Sequence, residues 1–499
     1  MVRHSALPAA FVLLLLGYFL VQSVSFTVLK SGADIDTTEL MMYNQFWSLG
    51  YWGSQPPLYN WLTHLAADVF GTSILVYSAA KFLLLFAAFA FLFLAARELG
   101  LSIAAAVAAT LGVFAIPEIS WEAQRALSHS AAVNAFCALS LYSFVRLRNA
   151  GRLVDYAFFG LAAAAAVLSK YNGFLFVAAL VLSAIGLRGF SRIVLDKRFF
   201  MSLLIFGATI APHALWALQN PEIVFHRQIK FGISDGAITA DERLTALLSW
   251  AKAIILTTII VVVATAVAYF VDRLRGRNWT LRFTDTGKLL VLLVLIYELV
   301  LLVLMVAYGA TRMENRWLQP VLLVLPLTVL SLFACPSTRD ADGGGTENPG
   351  LIRTFSVMGL VIMAVTLVAL PVSEGVMSRA KGNETHFAYD KLLGELETTT
   401  SGPVGTVVST ESDIFGNILL YDPDIRFYND KLVRAGHEIA LPAVLIWSGH
   451  GDLPRHLVKI ARTMGLPETE GEVFRSSMPI NGNERTVDYS YMVRQKPAG

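Results

Sequence analysis

Long apolar runs separated by short polar loops fill roughly the first three quarters of the chain. A helix needs ~20 mostly apolar residues to span a bilayer. On that measure about eleven spans are expected, over residues 7–29, 73–96, 101–117, 130–145, 153–168, 171–187, 199–218, 247–271, 289–308, 317–334 and 355–372. The first run is longer than the apolar stretch of a signal peptide, and no clean small-residue cleavage site follows it, so it reads as an uncleaved first helix. Beyond residue 373 the pattern changes. Short β-rich runs (VGTVVST, IRFYND, AVLIWS) alternate with helical ones (ESDIFGNILLYD, DLPRHLVKIARTMG), which predicts a small α/β layer domain. It lacks a G-x-G-x-x-G dinucleotide fingerprint.

Composition agrees with the pattern. Of 499 residues 55% are hydrophobic and 15% charged, where a soluble protein carries about 25% charged. The fold class is therefore a multi-span α-helical membrane protein, with a membrane domain at 1–372, a first outer loop at 30–72 and an α/β domain at 373–499. A net charge of +2 without a Lys/Arg-rich block gives no reason to expect nucleic acid. Cys137 and Cys335 lie in or at the end of apolar runs and suggest neither a disulfide nor a metal cluster. The Gly- and Asp-rich stretch 335–350 reads as a cytoplasmic linker. Arg97, Arg146, Arg148, Arg152, Arg188, Arg192, Lys197, Arg198 and the cluster from Arg273 to Lys288 gather on one side if the N-terminus is cytoplasmic. The positive-inside rule favours that orientation, and an odd number of spans then puts the α/β domain outside, in the periplasm of a Gram-negative inner membrane.

Chemistry-bearing side chains collect at the outer ends of the spans: Asp34, Asp36 and Glu39; Glu118, Glu122, Arg125 and His129; Lys170, Tyr171 and Asn172; His213, Asn220 and His226; Arg312, Glu314, Asn315 and Arg316. Polar groups at membrane depth are expensive and usually functional. Asp36 and Glu39 share a face if TTELMMYNQFW is an interfacial helix, and Tyr43 extends it. Such a pair can supply a general base and an orienting or metal-ligating neighbour, although acids are also favoured at any solvated helix N-terminus. No cofactor is required by the sequence. The two acids could hold a divalent ion, but no His/Cys ligand set accompanies them. The segment GYWGSQPPLYNWL offers Tyr51, Trp52, Gln55, Pro56, Pro57 and Tyr59 as a sugar or lipid platform; an interfacial aromatic belt accounts for its rings but not for the double proline. Lys170 ends an otherwise Ala/Val/Leu span, so it either has an anionic partner or snorkels to the interface. Lys81 lies at unusual depth and His226 is a weaker candidate.

Asp36-x-x-Glu39, Gln45 and LGYWGSQPPLYNWL resemble the first outer loop of the polyprenyl-phosphate-sugar-dependent glycosyltransferases of the GT-C superfamily. These include protein O-mannosyltransferases and aminoarabinose lipid A transferases. QPPLYNWL, SWEAQRALSH, LSKYNG and NRWLQP are most similar to the rhizobial lipopolysaccharide galacturonosyltransferases. The resemblance implies that Asp36 deprotonates the acceptor hydroxyl. The family usually has Asp-Glu at this point, whereas Thr37 follows Asp36, so the second acid would be Glu39. Ser54-Gln55 replaces the Glu-Lys of the aminoarabinose branch, whose lysine clamps the lipid phosphate, and this makes aminoarabinose transfer less fitting. Lys170, Arg125, Arg312 and Arg316 are the candidate cations for the leaving phosphate, and one arginine could bind the carboxylate of a uronate.

The resulting expectation is an inverting transferase. Its partners would be a polyprenyl-phosphate-linked sugar, a lipopolysaccharide or lipid A acceptor, and membrane lipids. A protein O-mannosyltransferase-like enzyme is the alternative within the class. A transporter or flippase is the alternative outside it, disfavoured because no internal repeat is visible and the polar residues gather at one face instead of the midplane.

Overall fold

The computed structural model describes residues 3–495 except 54, 127, 150, 226–237, 335–346, 437 and 468–470. His226, Cys335 and most of the expected linker lie outside the described residues.

Each of the eleven apolar runs is helical over most of its length. Among the described residues, however, six helices qualify as membrane spans by length and composition: Pro8–Leu29, Ile74–Glu98, Phe199–Gln219, Ala240–Leu274, Asp285–Tyr308 and Pro349–Lys381. Two bent pairs raise the number to eight, Ile103–Ala115 with Glu118–Arg125 (79°) and Asn172–Ile185 with Arg188–Val194 (118°). Among the described residues, six to eight candidate spans thus stand beside the expected count of about eleven. The reason is local: Pro117 and the Gly186-Leu187 step turn the chain inside apolar stretches, and Leu153–Ser169 and Gln319–Leu332 are short.

By packing, the chain forms two units. The first comprises Met1–Phe19, Leu49–Tyr59 and Lys81–Leu367; the second comprises Leu20–Ser48, Asn60–Ala80 and Val368–Gly499. The second unit begins its last segment near the sequence boundary at 373, but it also takes in most of the first outer loop.

Within the first unit, small residues set the helix spacing, as expected where apolar surroundings give helices no hydrophobic reason to associate. A Cβ on Gly160 would meet the Ser202 backbone, and one on Gly359 the Leu111 carbonyl. Ser202 also donates to the Tyr156 carbonyl at 2.7 Å. Phe89 packs on Phe19 and Phe114 at 5.4 and 4.9 Å between ring centres. Strands β1 (Thr280–Leu281) and β2 (Phe333–Ala334) make a two-residue antiparallel ribbon. A groove of about 530 Å³, lined by aliphatic residues such as Ile254, Val261, Val294 and Leu325, holds one carboxyl group, Glu298, bonded to the Trp250 indole at 3.0 Å.

The second unit carries a five-stranded sheet in the order β4-β3-β5-β7-β6, made of β3 (Thr406–Val408), β4 (Arg426–Tyr428), β5 (Ala443–Ser448), β6 (Phe474–Pro479) and β7 (Thr486–Arg494). β3 is parallel to β4 and β5, whereas β7 is antiparallel to β5 and β6. Helix Arg455–Thr463 buries Leu457, Ile460 and Ala461 against Val408, Leu445, Trp447 and Met492. The α/β reading of the tail matches this architecture.

Candidate functional site

The acid-bearing segment from Asp34 to Tyr43 lies in the second unit. Asp34 caps helix Ile35–Tyr43 by accepting from the Thr37 amide at 3.0 Å. Leu40, Met41, Met42 and Tyr43 are buried, while Asp36 and Glu39 are half-buried. Three residues apart on a 3.6-residue repeat, the two acids lie on adjoining positions of one side. Tyr43 donates from its hydroxyl to Glu39 Oε1 at 3.2 Å, and Lys431 Nζ stands 4.0 Å from the same oxygen. The helix ends at Tyr43, short of the Trp47 that the apolar pattern suggested, with Asn44 as its C-cap, its N–H making the last i→i−4 bond to the Leu40 carbonyl at 2.8 Å. Trp47 instead stacks on His64 at 4.1 Å, and the Trp61 indole bonds to the Ser48 carbonyl at 2.7 Å. Among the described residues, no group of three or more His, Cys, Asp and Glu is arranged to hold a metal ion.

The remaining candidates belong to the first unit. Lys170 leaves helix Leu153–Ser169 in an extended conformation. It is 7% exposed, and its ammonium donates to Ser130 Oγ at 2.8 Å. Beside Ser130, the His129 ring lies 5.3 Å from that of the buried Tyr59. Three stretches distant in sequence thus bring Tyr59, His129, Ser130 and Lys170 into one neighbourhood. Tyr51, Pro56 and Pro57 are buried and Trp52 and Gln55 half-buried in the loop ahead of helix Leu58–Phe70. That loop is pinned by His213, whose Nδ1 must donate to the Leu49 carbonyl at 2.8 Å; its Nε2 then accepts from the Tyr171 hydroxyl at 3.1 Å. Gly50 has no room for a side chain against the Trp216 indole.

The later motifs converge as well. Asn172 donates to the Trp317 carbonyl at 3.0 Å. Asn134 donates to Gln319 Oε1 at 2.9 Å, and Gln319 passes the link to the Glu118 carbonyl at 2.8 Å. Glu118 also lines a charged cavity of about 300 Å³, together with Glu122, Arg312, Met313, Glu314, Asn315 and Arg316. Glu122 pairs with Arg125 at 2.9 Å, while Arg312 and Arg316 share Glu314 at 3.1 and 3.8 Å. The chain in this stretch is a π-helix over Glu118–Glu122 and extended at Ala126. Ser130, Asn134 and Gln319 were not singled out from sequence. Only Gln319 lies inside a quoted motif, NRWLQP.

Comparisons with known proteins bear on the chain as a whole. Residues 54–216 match the family model described as dolichyl-phosphate-mannose-protein mannosyltransferase. The lipopolysaccharide core galacturonosyltransferase RgtA of Rhizobium johnstonii is 28% identical over 459 residues, covering 88% of this chain and 86% of that protein. RgtB of the same organism is 29% identical over 364 residues, covering 72% and 69%. Among solved structures, ArnT from Cupriavidus metallidurans bound to undecaprenyl phosphate superposes with a TM-score of 0.55, at 15% identity and 97% coverage of both chains. Domain, relatives and fold lead to one conclusion: the chain is a multi-pass membrane glycosyltransferase of the GT-C type.

Proposed function

We propose that this enzyme transfers a sugar, with galacturonic acid the leading candidate, from a polyprenyl-phosphate carrier to lipopolysaccharide core or lipid A at the periplasmic face of the inner membrane. The observation that carries the reading is Lys170, a buried ammonium held by Ser130 beside His129 and Tyr59. A desolvated cation is what a departing lipid phosphate needs. In the proposed step the acceptor hydroxyl oxygen bonds to the anomeric carbon as its proton passes to Asp36. The bond from that carbon to the phosphate oxygen breaks, the polyprenyl phosphate leaves with the electron pair, and the configuration inverts. Lys170 balances the charge gathering on the leaving oxygen. Glu39, engaged by Tyr43 and near Lys431, is the supporting acid. The aliphatic groove of the first unit suits the isoprenoid tail. Arg312 and Arg316 suit a uronate carboxylate that would compete with Glu314 for them. The names of both rhizobial relatives support the sugar and the acceptor.

Mass spectrometry of lipid A and core oligosaccharide from wild-type, deletion and Asp36→Asn strains tests the reading. Loss of one hexuronic acid mass in both mutants, at normal protein level, is expected. Unchanged glycolipids in the deletion strain would remove the lipopolysaccharide assignment.

A further inference from the structure

The acid helix is held at both ends by side-chain amides that act as pieces of backbone. Strand β4 is the edge of its sheet. Arg426 N–H donates to the Gly405 carbonyl at 3.0 Å and the Tyr428 carbonyl accepts from Ser409 at 3.0 Å, both towards β3. Alternation along a strand then turns the N–H and C=O of Phe427 to the open edge. Gln45 meets both. Its Oε1 accepts from Phe427 N–H at 2.8 Å, and its Nε2 donates to the Phe427 carbonyl at 3.0 Å. The same Nε2 donates to the Met42 carbonyl at 2.8 Å, in the last turn of the acid helix, where carbonyls have no partner within the helix.

At the other end, the fully buried Asn417 does the same for Ala33. Its Oδ1 accepts from the Ala33 N–H at 2.6 Å and its Nδ2 donates to the Ala33 carbonyl at 3.3 Å and to that of Asp413 at 3.0 Å. Between the clamps, Gly416 lets Thr38 approach so closely that a Cβ would sit 2.7 Å from its methyl group. Each clamped residue needs one donor and one acceptor side by side, which an amide supplies and a carboxylate or hydroxyl cannot match. A nine-residue helix is marginal by itself in water, so its placement must come from such contacts.

We propose that Gln45 and Asn417 are positioning residues, two amide clamps through which the C-terminal α/β unit orients the helix carrying Asp36. The α/β unit would then be the seat of the catalytic helix, whatever else it binds. This rests on the reading of Asp36 as the base.

The test uses purified full-length enzyme in lipid nanodiscs with a polyprenyl-phosphate-sugar donor. Gln45→Leu keeps the volume and removes the amide. Misplacing a catalytic group by ~1 Å can cost ~100-fold in rate, so kcat per folded enzyme is expected to fall about 10- to 100-fold. The KM for the donor should stay within about twofold, because ground-state binding is untouched. Amide hydrogen exchange of the helix should accelerate while the melting temperature of the whole protein holds. Asn417→Asp, which keeps the acceptor but loses the donor, should shift kcat and exchange in the same direction and serves if Gln45→Leu folds poorly. Wild-type kcat in both variants, or a loss confined to the fraction of folded molecules, overturns the proposal. Asp36→Asn separates the two readings. If it runs at the wild-type rate, the base assignment fails and the clamp proposal with it; if it is inactive while the clamp variants are normal, the clamps alone fail.

Discussion

Lys170 illustrates how much one side chain can say. An ammonium at the end of an aliphatic span is costly unless something holds it, and the structure shows Ser130 doing so at 2.8 Å. Removing the charge with Lys170→Met should lower kcat by on the order of 10²–10³-fold, as loss of a preorganised charge stabiliser does. A radiolabelled-donor assay in proteoliposomes measures this, and an undiminished rate would take Lys170 out of the leaving-group role. The Glu39–Lys431 pair is a contrasting case. At 4.0 Å and part exposed, such a pair contributes at most about 1 kcal/mol. Lys431→Met should therefore leave thermal stability nearly unchanged, and a large fall in melting temperature would show that this geometry understates the pair.

Elements come next. The close crossing of helices Leu153–Ser169 and Phe199–Gln219 depends on Gly160 having no side chain. Gly160→Leu would push against Ser202 backbone and should destabilise the fold by at least the ~1–3 kcal/mol typical of overpacking. The check is a thermal melt in detergent, where an unshifted curve would contradict the packing.

In the second unit His386 is buried, with Nε2 2.6 Å from Ser378 Oγ and 3.0 Å from the Glu374 carbonyl. Burial holds its pKa below the ordinary 6.5; the hydrogen bond to the Glu374 carbonyl opposes this, and the nearby charges of Arg379 and Lys30 add to the lowering. As pH falls below 6.5 the unfolded chain takes up the proton first, so stability is lost from there down to the folded-state pKa and is unaffected above 6.5. The wild type should therefore lose more stability between neutral and acidic pH than His386→Asn; parallel curves would assign the loss to other groups.

At the scale of the molecule, the second unit is discontinuous, assembled from Leu20–Ser48, Asn60–Ala80 and Val368–Gly499. A fragment made only of the last segment lacks what Asn417 and the β4 edge bind. It should be less stable than its own sheet would suggest, and a peptide covering residues 30–46 should raise its melting temperature. No effect of the peptide would mean that the tail folds independently of the loop.

What was legible in the sequence follows from interactions that are local or that break a pattern. Apolar runs marked the helices, Lys170 stood out because a charge is costly at the end of an aliphatic span, and the double proline because an aromatic belt does not account for it. Such signals are carried within a few residues, so the chain itself determines them. Long-range pairings were illegible. Gln45 and Phe427 are 382 residues apart, and Asn134 and Gln319 185 apart. Amides are common, and nothing nearby says which backbone group each will meet. Even the number of spans depended on where the chain bends, at Pro117 and after Gly186. The sequence by itself determined that this is a membrane protein with a chemically loaded first loop and an α/β tail. Only the tertiary structure joined that loop to that tail, because hydrogen-bonding partners distant in sequence become identifiable only once folding has brought them within 3 Å.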